Sequence, residues 1–363
     1  MTAWRCSAVP ESRRPHRATI SLPLGATLSL PLWGRVGWGF CSKLSTINVF
    51  AYQHGIYPRS EKVVASTRGL DRGRVDADAV EAAFAEDLAA FVRLQQKSGL
   101  DVFSDGLLRW QDIFRPLVDA LGAAKPESLV RWFDTNTFFR EPELSGALAG
   151  VNHADGLLPD ASVPRPRVAT LPSPFMFSRA ARTDRDRNQL MVDLAGKVLR
   201  PVVDAAVAAG CQLVHLEDPW IGYFGIESKD WAPLREALEL LHRDLRATLA
   251  FHVYFGDAGP HVDQLRRLPV DAIGVDLVET DVNELGSGWD KGLVAGVIDG
   301  RSSMLESLEN TVEVARHLAD TVRPRNLYLS SNCELAFLPT VVAEQKVQRL
   351  GEAAKRVKQL VSV

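Results

Sequence analysis

The sequence predicts an α/β protein built as a single (β/α)8 TIM barrel, with an inserted hairpin or lid after the second βα unit. Three observations predict it. Short apolar runs of strand character alternate with helical patterns from Ser45 to the C-terminus, and such alternation implies a parallel sheet, because parallel strands need long crossover connections. Eight such units fit within residues 44–363, the span of one barrel rather than two domains. No GxGxxG or GxxxxGKS motif occurs, as an open doubly wound nucleotide-binding sheet would want after its first strand.

STINVFA is the first strand, and the apolar spacing over residues 75–98 predicts a helix stopped by Gly99. LDVFS is the second strand, leading to a helix from about Asp112. The stretch from Glu127 to Pro164 is too long for a plain βα loop, so it is the expected hairpin or lid, packed down by Trp132, Phe133, Phe138 and Phe139. PRVATLPSP gives the third strand, and residues 187–209 a helix ending at Gly210. CQLVHLE, ATLAFHVYF, VDAIGVDLV, GLVAGVI and NLYLSS supply five more strands, separated by helical stretches near 231–245, 260–267, 304–321 and 340–358. Residues 1–43 stand apart. Arg13, Arg14 and Arg17 precede an apolar run broken by Pro23, Gly25, Pro31 and Gly34, too interrupted for a signal peptide or a membrane span, and a non-globular extension outside the fold is expected.

Composition narrows the function. With 363 residues, 46% of them hydrophobic and 24% charged, the chain is neither disordered nor fibrous. A net charge of -3 without basic blocks argues against nucleic acid or a membrane surface as the main partner and leaves small molecules. The four cysteines form no CxxC pair or framework spacing, which points to a reducing compartment, the cytoplasm.

Three metal-ligand types, His252, Glu279 and Cys333, each stand where an apolar run ends, and the C-terminal strand ends of a barrel converge on one mouth. Zinc accepts imidazole, carboxylate and thiolate, and a catalytic site keeps one position open. Such a site suits thiol alkylation, since it holds the thiol as a nucleophilic thiolate. Taken singly, these residues are more often a core histidine, a loop-anchoring carboxylate and an inert buried thiol. In HLEDPW, strand alternation sends His215 and Glu217 to the barrel interior and Leu216 and Asp218 away from it. The inward pair suits a general base with its orienter, or an ammonium site at Glu217. Arg59 and Arg109 offer donor forks to a carboxylate or phosphate, and His54, Asp105, Asn136 and Asn332 complete the polar groups of the mouth.

The segments HGIYPRSEKV, GLDVFSDGLLR, FDTNTFFR, LPSPF, HLEDP, FHVYF, VDLVET, GVIDGRSS and SSNCEL stand in one order from Ser45 onward. In that order and spacing the chain resembles the C-terminal catalytic barrel of the cobalamin-independent methionine synthases, within the group that includes uroporphyrinogen decarboxylase. The resemblance implies zinc-dependent methyl transfer to homocysteine, with His252, Glu279 and Cys333 on three of the family's four zinc positions. The fourth, a cysteine in the family, is Tyr254 here. The family's three polar anchors for the amino acid read Ile56, Leu107 and Glu217, and its catalytic histidine reads Arg301, which cannot protonate a leaving group at neutral pH. The expected catalytic residues are therefore Glu217, Asp218 and Arg301, and the expected substrate contacts Ile56, Arg59, Asp105, Leu107, Arg109, His215 and Tyr254. These departures point to a retuned thiol substrate, more apolar near Ile56 and Leu107 and anionic near Arg301. The family's N-terminal barrel, which helps bind folate, is not found in this chain, so a methyl-carrier or corrinoid protein is the expected donor partner. Two alternatives stay open: a decarboxylase or lyase whose Arg59, Arg109 and Arg301 bind carboxylates, and a catalytically silent barrel that binds a metabolite or partner.

Overall fold

In the computed structural model, residues 47–361 are described apart from 123, 124, 152, 153 and 155, and the expected extension over 1–43 lies outside the described residues. The strands in chain order are β1 (Asn48–Ala51), β2 (Lys125–Arg131), β3 (Phe138–Glu143), β4 (Arg167–Pro172), β5 (Cys211–Asp218), β6 (Thr248–Val253), β7 (Ala272–Asp276), β8 (Gly292–Ile298) and β9 (Asn326–Ser331). All but β2 and β3 join one parallel sheet in the order β1-β9-β8-β7-β6-β5-β4. Their Val, Leu and Ala runs are buried on both faces, as a parallel sheet covered by helices requires.

Tyr52, Val102, Val168, Leu213, Ala250, Ala272, Val294 and Tyr328 form one buried cluster. Six of them lie within β4 to β9, Tyr52 directly follows β1 and Val102 lies in the expected second strand, so the sheet curls around this layer. That second strand, LDVFS, is reduced to two isolated parallel bridges, Tyr52 with Val102 and Phe103 with Arg167. It is cut short because the chain turns at once: Ser104 Oγ accepts the Gly106 N–H at 2.9 Å, and Gly106 and Leu107 both take positive φ.

The helix of Ala77–Ser98 follows the sequence expectation closely. Asp76 caps its first turn by accepting the Ala79 N–H, and Gly99 closes it in the left-handed region at φ 74. The helix expected from about Asp112 begins at Arg115, since Asp112 spends its carboxylate on the N–H groups of Phe114 and Arg115. The helix expected over 187–209 is not continuous. A π turn at Ala195–Leu199 separates Arg187–Leu194 from Arg200–Ala208, next to Pro201, which has no N–H for the helical ladder. Three helices went unanticipated: Glu61–Asp71, Pro219–Phe224, and Pro174–Ala180 where LPSPF reads as a turn, the last capped by Ser173. Within the expected insertion, β2 and β3 pair as an antiparallel hairpin. Trp132 and Phe139 pack it down on Phe114, with centroids 6.0 and 5.4 Å away. Among the described residues, no helix is long and apolar enough to cross a membrane.

Candidate functional site

The ends of four strands bring their polar groups to one buried cluster. The turn after β1 carries His54, β5 carries His215 and Glu217, β6 carries His252 with Tyr254 just beyond, and the chain after β9 carries Glu334. Glycines make the room. A Cβ on Gly55, whose φ is +69, would stand 2.5 Å from Glu217 Oε1, and one on Gly274 would stand 2.5 Å from the His252 ring.

Two hydrogen-bonded chains run through the cluster. In one, His54 Nε2 donates to the Ser331 carbonyl at 3.1 Å while its Nδ1 faces Glu217 Oε1 at 2.8 Å. Burial pushes Glu217 up to about 8 and His54 down to about 4, so at neutral pH the proton rests on the carboxyl, which donates to a neutral imidazole. Tyr254 donates to Glu334 Oε2 at 2.9 Å, and burial together with the nearby Glu217 pushes Glu334 up to about 8 as well. In the second chain, the Tyr52 hydroxyl meets His215 Nδ1 at 2.7 Å and His215 Nε2 meets His252 Nδ1 at 3.2 Å. Burial lowers both of these histidines well below their ordinary range. The two chains touch where His54 stacks on His215 at 4.1 Å.

The described residues gather one group able to ligate a metal, His54, His215 and His252, with ligand atoms within 4.8 Å of one another. Neutral imidazoles are donors that zinc accepts, and His252 Nε2 is buried without a well-formed hydrogen bond, while the ring nitrogens of His54 and His215 are engaged in the two chains and would exchange those partners for the metal. When His252 donates through Nδ1 toward His215, that Nε2 presents a bare lone pair.

The trio expected from the sequence, His252, Glu279 and Cys333, is not what the structure gathers. β7 stops at Asp276, whose carboxylate accepts the Val278 and Phe255 N–H groups and turns the chain, and Glu279 lands 41% exposed in an ion pair with Arg301. Cys333 is fully buried, and its burial raises the thiol well above its ordinary range. Arg301 also lies 3.8 Å from Asp134 in the hairpin turn and 5.0 Å from the Phe255 ring centre. Asp218, expected to be catalytic, instead caps the helix Pro219–Phe224 and accepts from Ser173. Asn332 bridges Asp276 and the Gly300 N–H, a structural link.

Beside the cluster lies a cavity of about 480 Å³, with Glu334 in its wall, and with Ile56, Arg59, Trp132, Phe138, Phe139 and Phe337 among its other lining residues. Of the expected substrate contacts, His215 and Tyr254 sit in the cluster, and Ile56 and Arg59 line this cavity. Asp105 and Arg109 line a different one, of about 620 Å³. There Arg109 is exposed and pairs with Glu81, while Asp105 accepts the Leu107 N–H. Leu107 is buried and lines neither cavity. Asn136 is a surface residue of the hairpin turn, reached by Arg131 at 3.4 Å. Sequence reasoning passed over Tyr52, Trp132 and Glu334, and it placed His54 at the mouth without seeing it as a ligand. The signal for His54 was there, a histidine just past the strand STINVFA; for Glu334 there was only its adjacency to Cys333.

Comparison with known proteins adds to this geometry. Residues 120–323 match the family model described as cobalamin-independent synthase, N-terminal domain; the segments quoted above were compared with the C-terminal barrel of the same family. A methionine synthase of Sulfolobus acidocaldarius is 26% identical over 311 residues, covering 81% of this chain and 87% of that protein. A 5-methyltetrahydropteroyltriglutamate–homocysteine methyltransferase of Herpetosiphon aurantiacus is 28% identical over 239 residues, covering 60% of this chain and 30% of that protein. Among solved structures, a B12-independent methionine synthase from a Shewanella species, in complex with selenomethionine, superposes with a TM-score of 0.69. At 18% identity, covering 88% of this chain and 99% of that one, it shows the shared fold. A cobalamin-independent description removes the ground for the corrinoid partner expected from the sequence.

Proposed function

The chain belongs to the cobalamin-independent synthase family, and from that premise we propose that it transfers a methyl group to a thiol such as homocysteine or an analogue of it. The observation that carries this reading is the buried cluster of imidazoles and carboxyls that opens, through Glu334, on a cavity of substrate size. In the transfer, a sulfur lone pair forms the new S–C bond while the methyl group's bond to its donor breaks, and the donor keeps that electron pair. A thiol with an ordinary pKa near 8.5 must first lose its proton. Glu334, at the cavity wall and pushed up to about 8, receives it in the fraction of molecules where its carboxyl is ionised, a carboxylate that the Tyr254 hydroxyl steadies beforehand. His54, His215 and His252 would hold zinc, which when bound supplies a positive charge that favours the thiolate.

The same reading extends to the architecture. We infer that residues 44–363 form one domain and that the curled sheet is closed as an eight-stranded barrel. Supporting this are the bridges of Val102 and Phe103 to either edge of the sheet and the layer that takes one residue from each of eight strand positions. We also infer that the hairpin serves as a lid. Phe133 at its turn rests among Trp220, Tyr223, Phe224 and Phe255, and Asp134 faces Arg301.

Two measurements on protein purified without chelator test the function. Elemental mass spectrometry is expected to find near-stoichiometric zinc that is lost in His252→Ala and retained in Cys333→Ser. Product analysis is expected to find a methyl thioether formed from homocysteine, or from a related thiol, and a methyltetrahydropteroyl donor. Zinc retained in His252→Ala, or absence of any thioether from a panel of thiols, overturns the reading.

A further inference from the structure

The cavity beside the cluster holds a cation, Arg59, that makes no ion pair among the described residues. Arg59 is half-buried, and its hydrogen bonds go to two backbone carbonyls, those of Leu108 at 2.6 Å and of Trp110. No carboxylate among the described residues comes within ion-pair distance of it. The acid whose charge acts on it, Asp87, accepts the Ser60 N–H at 2.8 Å. A second donor in the same wall is unsatisfied: Trp132, buried in the hairpin, has an indole N–H with no partner. Buried donors left unpaired are costly, and a guanidinium without an ion pair that shares a cavity wall with an unpaired indole N–H suits an acceptor bound there.

The rest of the wall defines what the acceptor is attached to. Ile56, Phe138, Phe139, Phe337 and Leu338 offer apolar surface. Of the acids in the wall, Glu61 is exposed at the start of the helix Glu61–Asp71 and makes no ion pair among the described residues. Asp112 spends both oxygens on the N–H groups of Phe114, Arg115 and Arg140, and Glu334 is bonded to Tyr254 and lies near a second carboxyl.

We propose that this cavity selects the thiol substrate by its carboxylate, which Arg59 and the Trp132 N–H hold while the substrate's chain lies on the apolar wall. The proposal rests on the methyl-transfer reading for the word thiol; the carboxylate anchor itself does not. The carboxylate sits at the Arg59 end, the chain crosses the apolar wall, and the sulfur reaches the Glu334 end. Arg59 and Trp132 are thus specificity-determining residues, one from the turn after β1 and the other from the hairpin.

Calorimetric titration of the full chain with 4-mercaptobutyrate and with the neutral 4-mercaptobutanol tests this without requiring turnover. The acid is expected to bind at least about tenfold tighter than the alcohol, as a charge-assisted pair in a desolvated site should make it. Arg59→Ala is expected to erase that preference. Because Arg59 also ties down two carbonyls, Trp132→Phe serves as the second variant: it keeps the ring, deletes the N–H, and is expected to reduce the preference several-fold. Equal binding of acid and alcohol to the unaltered protein, or a preference that survives both substitutions, overturns the proposal. Arg59-dependent binding of the acid with no thioether formed leaves the anchor standing and removes the methyl-transfer reading. Methylation of acid and alcohol thiols at equal kcat/KM does the reverse.

Discussion

Replacing Glu334 with glutamine should make the protein less sensitive to alkaline pH. The carboxyl is buried, bonded by Tyr254 and crowded by Glu217, and its pKa is pushed up to about 8 from an ordinary 4.5. Folding therefore favours the protonated acid. The stability this confers is fully present below pH 4.5 and is lost as the pH rises through about 8, where the interior has to accept a carboxylate. At about 1.4 kcal/mol for each pH unit of that gap, the cost at pH 9 is on the order of 5 kcal/mol, an upper bound because Glu217 shares it. In Tm this is roughly 10 °C at about 2 °C per kcal/mol for a chain of this size. Glutamine keeps a carbonyl oxygen for the Tyr254 hydroxyl and cannot ionise. Thermal melts at half-unit steps from pH 5 to pH 9 are the assay. The parent protein should lose Tm steadily from pH 5 to about pH 8 and level off above it, and Glu334→Gln should lose distinctly less while forming little thioether. Parallel curves would refute the reasoning, since they would mean that Glu334 is not held protonated by its surroundings.

Two further outcomes follow from the packing. Gly274→Ala would drive a methyl group into the His252 ring, and overpacking of that kind costs about 1–3 kcal/mol; calorimetry should record the loss, and zinc content should fall with it, whereas an unchanged zinc content would mean that the ring has room to move. Ser173→Ala removes the cap of Pro174–Ala180 and the partner of Asp218, at a cost of about 1–2 kcal/mol; kcat per folded molecule should be unchanged, and a large drop would restore Asp218 to a catalytic role.

Where local chemistry decides the outcome, the sequence was legible. CQLVHLE announces β5, and its alternation correctly turns His215 and Glu217 toward the cluster and leaves Asp218 to its cap. Gly99 ends its helix where it should. Legibility failed where a few residues of backbone decide the direction. Glu279 closes an apolar run, yet the strand ends three residues earlier at Asp276, and the turn carries the carboxylate out to Arg301. Pro201 breaks a helix whose apolar spacing runs straight through it. The ligand trio joins His54 to residues far along the chain, and only the closing of β1 against β9 brings it near. The unsatisfied N–H of Trp132 has no signature in sequence at all, because it is defined by what is missing around it.

The cavity has walls of two origins. Ile56, Arg59 and Phe337 belong to loops of the sheet's mouth, whereas Trp132, Phe138 and Phe139 belong to the β2–β3 hairpin. A molecule gripped by both walls is an added strut between two parts of the chain that are joined at the hairpin's turn by aromatic contacts and the loose Arg301–Asp134 pair, and at its base by the Arg140 N–H to Asp112 and the backbone bonds of Arg182. Its binding free energy is also cohesion of the hairpin, so occupancy and rigidity rise together: residues 131–139 should exchange their amide hydrogens more slowly in the loaded protein than in the free one.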